Sequence, residues 1–458
     1  MYWWLRQITD FWQPKPGLMQ GHINPQRIPF KVRAIASALK EGGGQPFIVG
    51  GSIRDILLGK IPSDWDIAVD LPPGDVLAIF PGACTVGIEF GRVSLGDVDV
   101  VSLRAEKDYE DRRHPAKVTF GVPIDKDLER RDFTINAMAW DPFSGEVFDP
   151  YGGLEDLKCR ALSTVGGPLN RFQEDPLRIL RAVRFKNTLG FNLDSRVTQA
   201  ISESKALLAQ LPGERIFIEL KNLLLSPSVY RGVMDLYDYG ISSIVLPEID
   251  KAPGAIGRSL AACRPDLTVR LAVLLGMAWA GTPQVSDDVE RFKCRFNLPA
   301  GLARDITWLV ANSSPDEILN KETLRGAWRG SRKEEPGYYD DPGYIIRRIV
   351  YHWGTHQLER LFEVKHAIWR GSGKGGIPKG CLFLASGMWS LQQSKACGAK
   401  DFEVALDGAD IMKVLKVEQG CIVGQALDYL EEMVLRNPEV NNRESLFKIL
   451  LEWWSKQR

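Results

Sequence analysis

PFIVGGSIRDILLGKIPSDWDIAVD, residues 46–70, is the stretch on which the fold turns. Pro46–Val49 is a short apolar run that predicts a strand, and it runs straight into Gly50-Gly51. Residues 54–58 predict a short helix, and Asp66–Val69 a second strand with polar residues at its entrance. Backbone N–H groups at a glycine turn can come close to a phosphate, because glycine carries no Cβ. Asp64-Trp65-Asp66 follows at short range. In a strand, residues i and i+2 point to one side, so two carboxylates would face one point. Such a pair suits a divalent cation, and Mg²⁺ prefers oxygen ligands completed by substrate phosphates.

Outward from this stretch the chain stays mixed for a while. Residues 33–40 predict a helix ended by Gly42-Gly43-Gly44, and Pro72–Phe80 a helix opened by proline. Val93–Leu103 alternates weakly and predicts a strand or hairpin containing Asp97 and Asp99. Asp99, set among apolar neighbours, is the candidate third carboxylate, and Asp97 competes for the role. From Glu174 apolar residues recur at three- and four-residue spacing through Leu225, and strand signals nearly vanish. Gly152-Gly153 and Gly166-Gly167-Pro168 punctuate the change, while 330–343 and 371–380 predict loops. Within the helical stretch, Asp175 and Arg178 are three apart and so share a helix face, and Arg178, Arg181 and Arg184 continue as a basic stripe.

Composition narrows the classes. The 458 residues carry 58 Lys and Arg against 58 Asp and Glu, so no global field draws in nucleic acid and any such contact must be local. No run of about 18 apolar residues predicts a membrane span. Seven scattered cysteines form no CxxC pair, which excludes a zinc ribbon and a disulfide framework and points to a reducing compartment, the cytoplasm by default. MYWWLRQITDFW at residues 1–12 lacks the core of a signal peptide and predicts an amphipathic helix packed on the body.

Five segments in order, GGSIRD (50–55), DWDI (64–67), RRDFTINAM (130–138), EDPLRILRAVRF (174–185) and ERIFIEL (214–220), resemble the successive motifs of class II tRNA nucleotidyltransferases and bacterial poly(A) polymerases. The resemblance implies an α+β chain. A small N-terminal polymerase-β-like nucleotidyltransferase head, a mixed sheet with helices over 1–165, precedes an all-helical neck (166–250), body (251–400) and tail (401–458). It further implies that Asp64, Asp66 and Asp99 are catalytic and hold Mg²⁺. Gly50, Gly51 and Arg54 would cradle the triphosphate, and Asp132 and Asn136 would contact the ribose. Asp175 and Arg178 would offer a hydrogen-bonding edge to the incoming base, with Arg181 on base or triphosphate.

The implied reaction is attack of an RNA 3′-OH on the α-phosphate of CTP or ATP, building the 3′-terminal CCA of tRNA without a nucleic-acid template. Residues 108–115, with Arg112 and Arg113, resemble the flexible loop that members need for adding A, which argues against a CC-only enzyme. Residues 406–446 resemble the tail of bacterial CCA-adding enzymes and favour tRNA over poly(A) synthesis. Two narrower alternatives share the motifs: an A-adding enzyme beside a CC-adding partner enzyme, and a poly(A) polymerase. A catalytically dead RNA-binding protein would not need all three carboxylates. Neither a membrane nor DNA is an expected partner. At 270–279 Gly276 and Met277 stand where related enzymes carry a His-Asp phosphohydrolase pair, so that activity is expected to be missing.

Overall fold

The computed structural model describes residues 23, 27–109, 115–279, 284–317, 342–393 and 402–457. The expected helix over residues 1–12, the loop residues Arg112 and Arg113, and residues 330–341 lie outside the described residues. The chain forms two compact units, Met1–Leu211 and Pro212–Arg458.

The first unit is built on a six-stranded mixed sheet in the order β3-β4-β2-β1-β7-β8. Its central strands are β1 (Pro46–Val49) and β2 (Trp65–Val69), paired antiparallel with Phe47 opposite Ala68. Every residue of β1 is buried, as the unbroken apolar run required. The segment 93–103 is a hairpin of β3 (Arg92–Leu95) and β4 (Val98–Ser102), turned at Gly96 with φ of 74°. Strand β4 lies parallel to β2, with Asp66 opposite Asp99. Strands β7 (Ala139–Trp140) and β8 (Val147–Phe148) close the far edge. Helix α1 (Phe30–Glu41) packs on β1 and β2, and α2 (Gly51–Leu57) starts at the second glycine of the turn. Phe47, Val49 and Ala68 join Leu103, Leu128, Ala137, Ala139 and Val165 in one buried cluster beneath the turn.

Strands β5 (Arg104–Tyr109) and β6 (Pro115–Phe120) form a separate two-stranded ribbon. Strands β9 (Ala161–Leu162) and β10 (Asn192–Leu193) pair parallel, so the expected all-helical neck over 166–250 carries one short strand. Helices α3 (Pro73–Ile79), α4 (Ile124–Glu129), α5 (Gly153–Cys159), α6 (Pro168–Glu174), α7 (Leu177–Leu189) and α8 (Ser195–Ser204) complete the unit.

The second unit holds no strand among its described residues. The expected α+β class with a mixed-sheet head and helical remainder is therefore the observed one. Helices α9 (Gly213–Leu224), α10 (Val229–Asp238), α11 (Ser242–Val245), α12 (Pro253–Ala261), α13 (Leu267–Ala278), α14 (Val285–Phe296) and α15 (Ala300–Ala311) lead into the later helices at 342–353, 355–371, 379–393, 408–415, 421–436 and 443–455. Among the described residues no helix is long and apolar enough to cross a membrane. Helix α13 is buried on all sides, and its Arg270 donates to the carbonyls of Leu224, Ser226 and Cys263, which end neighbouring segments. Gly276 brings the same helix against Ser313, where an added Cβ would lie 2.8 Å from Oγ.

Helix α9 meets α14 at its first residue: a Cβ on Gly213 would fall 1.7 Å from the carbonyl oxygen of Arg295. Backbone cannot yield as a side chain can, so Gly213→Ala is expected to cost about 1–3 kcal/mol. Urea unfolding monitored by circular dichroism checks this, and an unchanged midpoint would mean that the two helices do not meet there.

Candidate active site

The turn after β1 sets the geometry. Gly50 has φ of 69°, and a Cβ there would lie 2.9 Å from Arg131 Nη1 and 3.7 Å from Asp66 Oδ2. A glycine is thus needed both for the backbone angle and for the approach of a cation and a carboxylate. Ser52 ties the turn to β2: its Oγ donates to the Asp64 carbonyl at 3.1 Å and accepts from the Asp66 N–H at 3.3 Å.

Asp66 and Asp99 stand at the same level on adjacent parallel strands. Asp64 lies one residue before β2 and is exposed, so the expected pairing of Asp64 and Asp66 within one strand is corrected, although the Asp64 charge still acts on Asp66. The chain enters β2 only at Trp65, whose side chain is buried. Asp97 sits in the exposed hairpin turn and pairs with Lys31, which leaves Asp99 as the third acid near Asp66. Asp99 Oδ1 accepts from Ser94 Oγ at 2.6 Å, and its Oδ2 pairs with Arg92 Nη2 at 2.6 Å. Burial raises the Asp66 carboxyl above the ordinary carboxylate value; the Arg131 charge opposes this, while Asp99 and Asp64 add to it.

Among the described residues no three His, Cys, Asp or Glu side chains are already drawn together as a metal-ligand set. The donor chemistry nonetheless fits a hard divalent cation. The candidate ligands are carboxylate oxygens, the charges of Asp99 and Asp64 help raise the Asp66 carboxyl, and the side-chain-free Gly50 borders Asp66.

Beside the carboxylates runs a chain of charged hydrogen bonds. Arg54 Nη1 donates to Asn136 Oδ1 at 2.8 Å, Asn136 Nδ2 to Asp132 Oδ1 at 3.2 Å, and Arg181 Nε to Asp132 Oδ2 at 2.7 Å. Four residues singled out from three separate motifs are thereby joined. Burial pushes the Asp132 carboxyl up, but the Arg181 charge and hydrogen bond, helped by Asn136 and the Phe133 N–H, hold it at about 2. The Phe185 ring lies under three guanidiniums, of Arg54, Arg181 and Arg184, at 5.1, 5.3 and 4.1 Å.

Asp175 and Arg178 do not share a helix face, contrary to expectation. Pro176 interrupts the segment, so α6 ends at Glu174 and α7 starts at Leu177. Asp175 lies in the extended joint between them and accepts from the Leu177 N–H at 3.1 Å. Arg178 is buried and donates to Glu174 Oε2 at 2.7 Å and to the carbonyls of Arg171 and Arg130.

Sequence reasoning missed Ser52, Asp127, Phe185 and Arg92. Asp127, almost fully buried, receives both Arg130 and Arg131 through their guanidiniums. It thereby fixes Arg131 beside Gly50. An acid three and four residues ahead of two arginines is the signal that could have found it.

The chain matches the family model described as "Poly A polymerase head domain" over residues 46–163. It also matches the model "Probable RNA and SrmB- binding site of polymerase A" over residues 190–252. It is 30% identical to the CCA-adding enzyme of Geobacillus stearothermophilus over 436 residues, 91% of this chain and 95% of that one. The crystal structure of the Bacillus stearothermophilus CCA-adding enzyme in complex with CTP superposes with a TM-score of 0.68 at 27% identity, covering 93% of this chain and 97% of that one. The Thermotoga maritima CCA-adding enzyme complexed with tRNA shares the fold at 19% identity, with a TM-score of 0.56 over 93% of this chain and 96% of that one.

A carboxyl held at about 2, against 3.8 for the free group, stabilises the fold fully above the ordinary value and loses that contribution as pH falls through 2. Asp132→Asn is therefore expected to lower stability at neutral pH by about 2 kcal/mol. Its deficit should shrink as the medium is acidified from about pH 4 toward pH 2. Denaturant titrations of both proteins across that range test this; a pH-independent deficit would mean that the charge of Asp132 contributes nothing.

Proposed function

The chain belongs to the CCA-adding enzyme family, and we propose that it builds and repairs the 3′-terminal CCA of tRNA from CTP and ATP, releasing pyrophosphate. The observation that carries this reading is the continuous hydrogen-bonded chain Arg54–Asn136–Asp132–Arg181 lying beside the Gly50 turn and Asp66. Such a chain joins a triphosphate-binding group, a ribose-reading pair and a base- or triphosphate-reading cation into one preorganised surface.

Asp64, Asp66 and Asp99 would hold Mg²⁺, which supplies the charge that lowers the pKa of the RNA 3′-OH and screens the leaving pyrophosphate. Gly50 and Gly51 leave room for the triphosphate against the backbone, and Arg131, fixed by Asp127, sets a positive charge at the same turn. Arg54 adds a second cation, anchored to Asn136. Asp132 and Asn136 present an acceptor and a donor to the ribose, whose 2′-OH can do both. In base selection by Asp175 and Arg178, the bonds of Arg178 to Glu174 and two carbonyls fix its guanidinium, whose N–H groups outside those bonds face the edge of the base.

In this reading head (1–165), neck (166–250), body (251–400) and tail (401–458) divide the work, the tail gripping the tRNA away from its 3′ end. Arg112 and Arg113 belong to the loop required for the final A. In this reading the protein works in the cytoplasm.

Three tRNA transcripts, ending at the discriminator base, after one C and after CC, are incubated with Mg²⁺ and CTP, ATP or both. Completion of all three to CCA is expected, and Asp64→Ala or Asp66→Ala should abolish incorporation without loss of fold by circular dichroism. Addition of a single A to the CC-ended transcript alone would make the protein an A-adding enzyme with a CC-adding partner. Long A tails on any RNA would make it a poly(A) polymerase.

A further inference from the structure

Both oxygens of Asp99 are engaged in this structure. Oδ1 accepts from Ser94 Oγ, its cross-strand neighbour on β3, and Oδ2 pairs with the Arg92 guanidinium at 2.6 Å. Arg92 and Asp99 belong to the same hairpin, and among the described residues Asp99 is the carboxylate to which Arg92 is ion-paired. Its charge is also felt by Asp66, where it opposes the raising effects of burial, Asp99 and Asp64.

Two guanidiniums thus compensate the acidic group, and they differ in freedom. Arg131 is held on Asp127 by both Nε and Nη2 and on the Asn136 carbonyl by Nη1, with its side chain 18% exposed. Arg92 has one carboxylate partner and its side chain is 55% exposed, so it can exchange that partner for water with little desolvation or steric cost.

We propose that Arg92 is a built-in counter-ion that occupies the third carboxylate, Asp99, in the metal-free protein and competes with the divalent cation for it. The proposal rests on the reading that Asp64, Asp66 and Asp99 hold the metal. Three carboxylates without a cation repel one another, and a guanidinium on one of them relieves that repulsion at the expense of metal affinity. A cation arriving with a triphosphate brings extra oxygen ligands and displaces Arg92 more readily than a cation arriving alone. The competition therefore favours loading the metal together with the nucleotide.

The test is direct Mn²⁺ binding to the full chain, followed by electron paramagnetic resonance without RNA or nucleotide. Arg92→Gln is expected to tighten Mn²⁺ binding about fivefold, the upper range for a partly exposed ion pair. Arg92→Lys, which keeps the charge but not the fork, should fall between. Lys31→Ala removes a nearby cation that pairs with Asp97 and should change nothing. Adding a non-hydrolysable CTP analogue should narrow the gap between Arg92→Gln and the unaltered protein. Unchanged or weaker binding by Arg92→Gln, with Asp99→Asn still weakening it, would overturn the proposal and leave the metal site standing. No effect of Asp99→Asn would overturn both.

Discussion

Burying the Asp132 carboxylate costs desolvation, and only a full set of donors offsets it. Arg181 supplies the charge, Asn136 an amide, and the Phe133 N–H a third donor. Those donors come from α7 and from the segment after α4, so the acid can be buried in its ionised form only when these pieces are docked. Arg54 then reaches Asn136 from α2, and the Phe185 ring gives the guanidiniums of Arg54, Arg181 and Arg184 a common apolar surface. Removing any one member exposes the rest to an unpaired charge, which is why a buried ionic chain specifies a geometry more than it adds stability.

The neighbouring acids follow the opposite logic. Strand pairing puts Asp66 and Asp99 side by side, where the Asp99 charge adds to burial in raising the Asp66 carboxyl. The protein tolerates this because cations stand close by, Arg131 fixed by Asp127 and Arg92 on a half-exposed stem. One surface is preorganised by pairing, and the other is left strained enough to want a cation.

The helical unit handles its buried cations differently again. Arg270 and Lys365 are buried and give their N–H groups to backbone carbonyls. Lys365 joins the carbonyls of Ser314 and Glu317, and burial pushes its ammonium down to about 8. Carbonyls at segment ends lack intrahelical donors, so each cation satisfies several at once.

The sequence by itself determined the succession of strand, glycine turn, helix and strand at 46–70, because apolar runs, glycine and proline constrain the backbone locally. It also determined the α+β class, the helical second half, and the residue types of the site. The tertiary structure alone decided which acids and arginines meet. Asp97 and Asp99 differ by two residues, yet the hairpin sends one to solvent and Lys31 and the other beside Asp66. Arg178 and Arg181 look alike in a stripe, yet Pro176 puts Glu174 within reach of the first while Asp132 meets the second. Arg92 and Phe185 carried no signal of their own strong enough to stand out. Their roles come from charges and rings brought together by packing and strand register, and the chemistry of a side chain does not specify which partner will reach it.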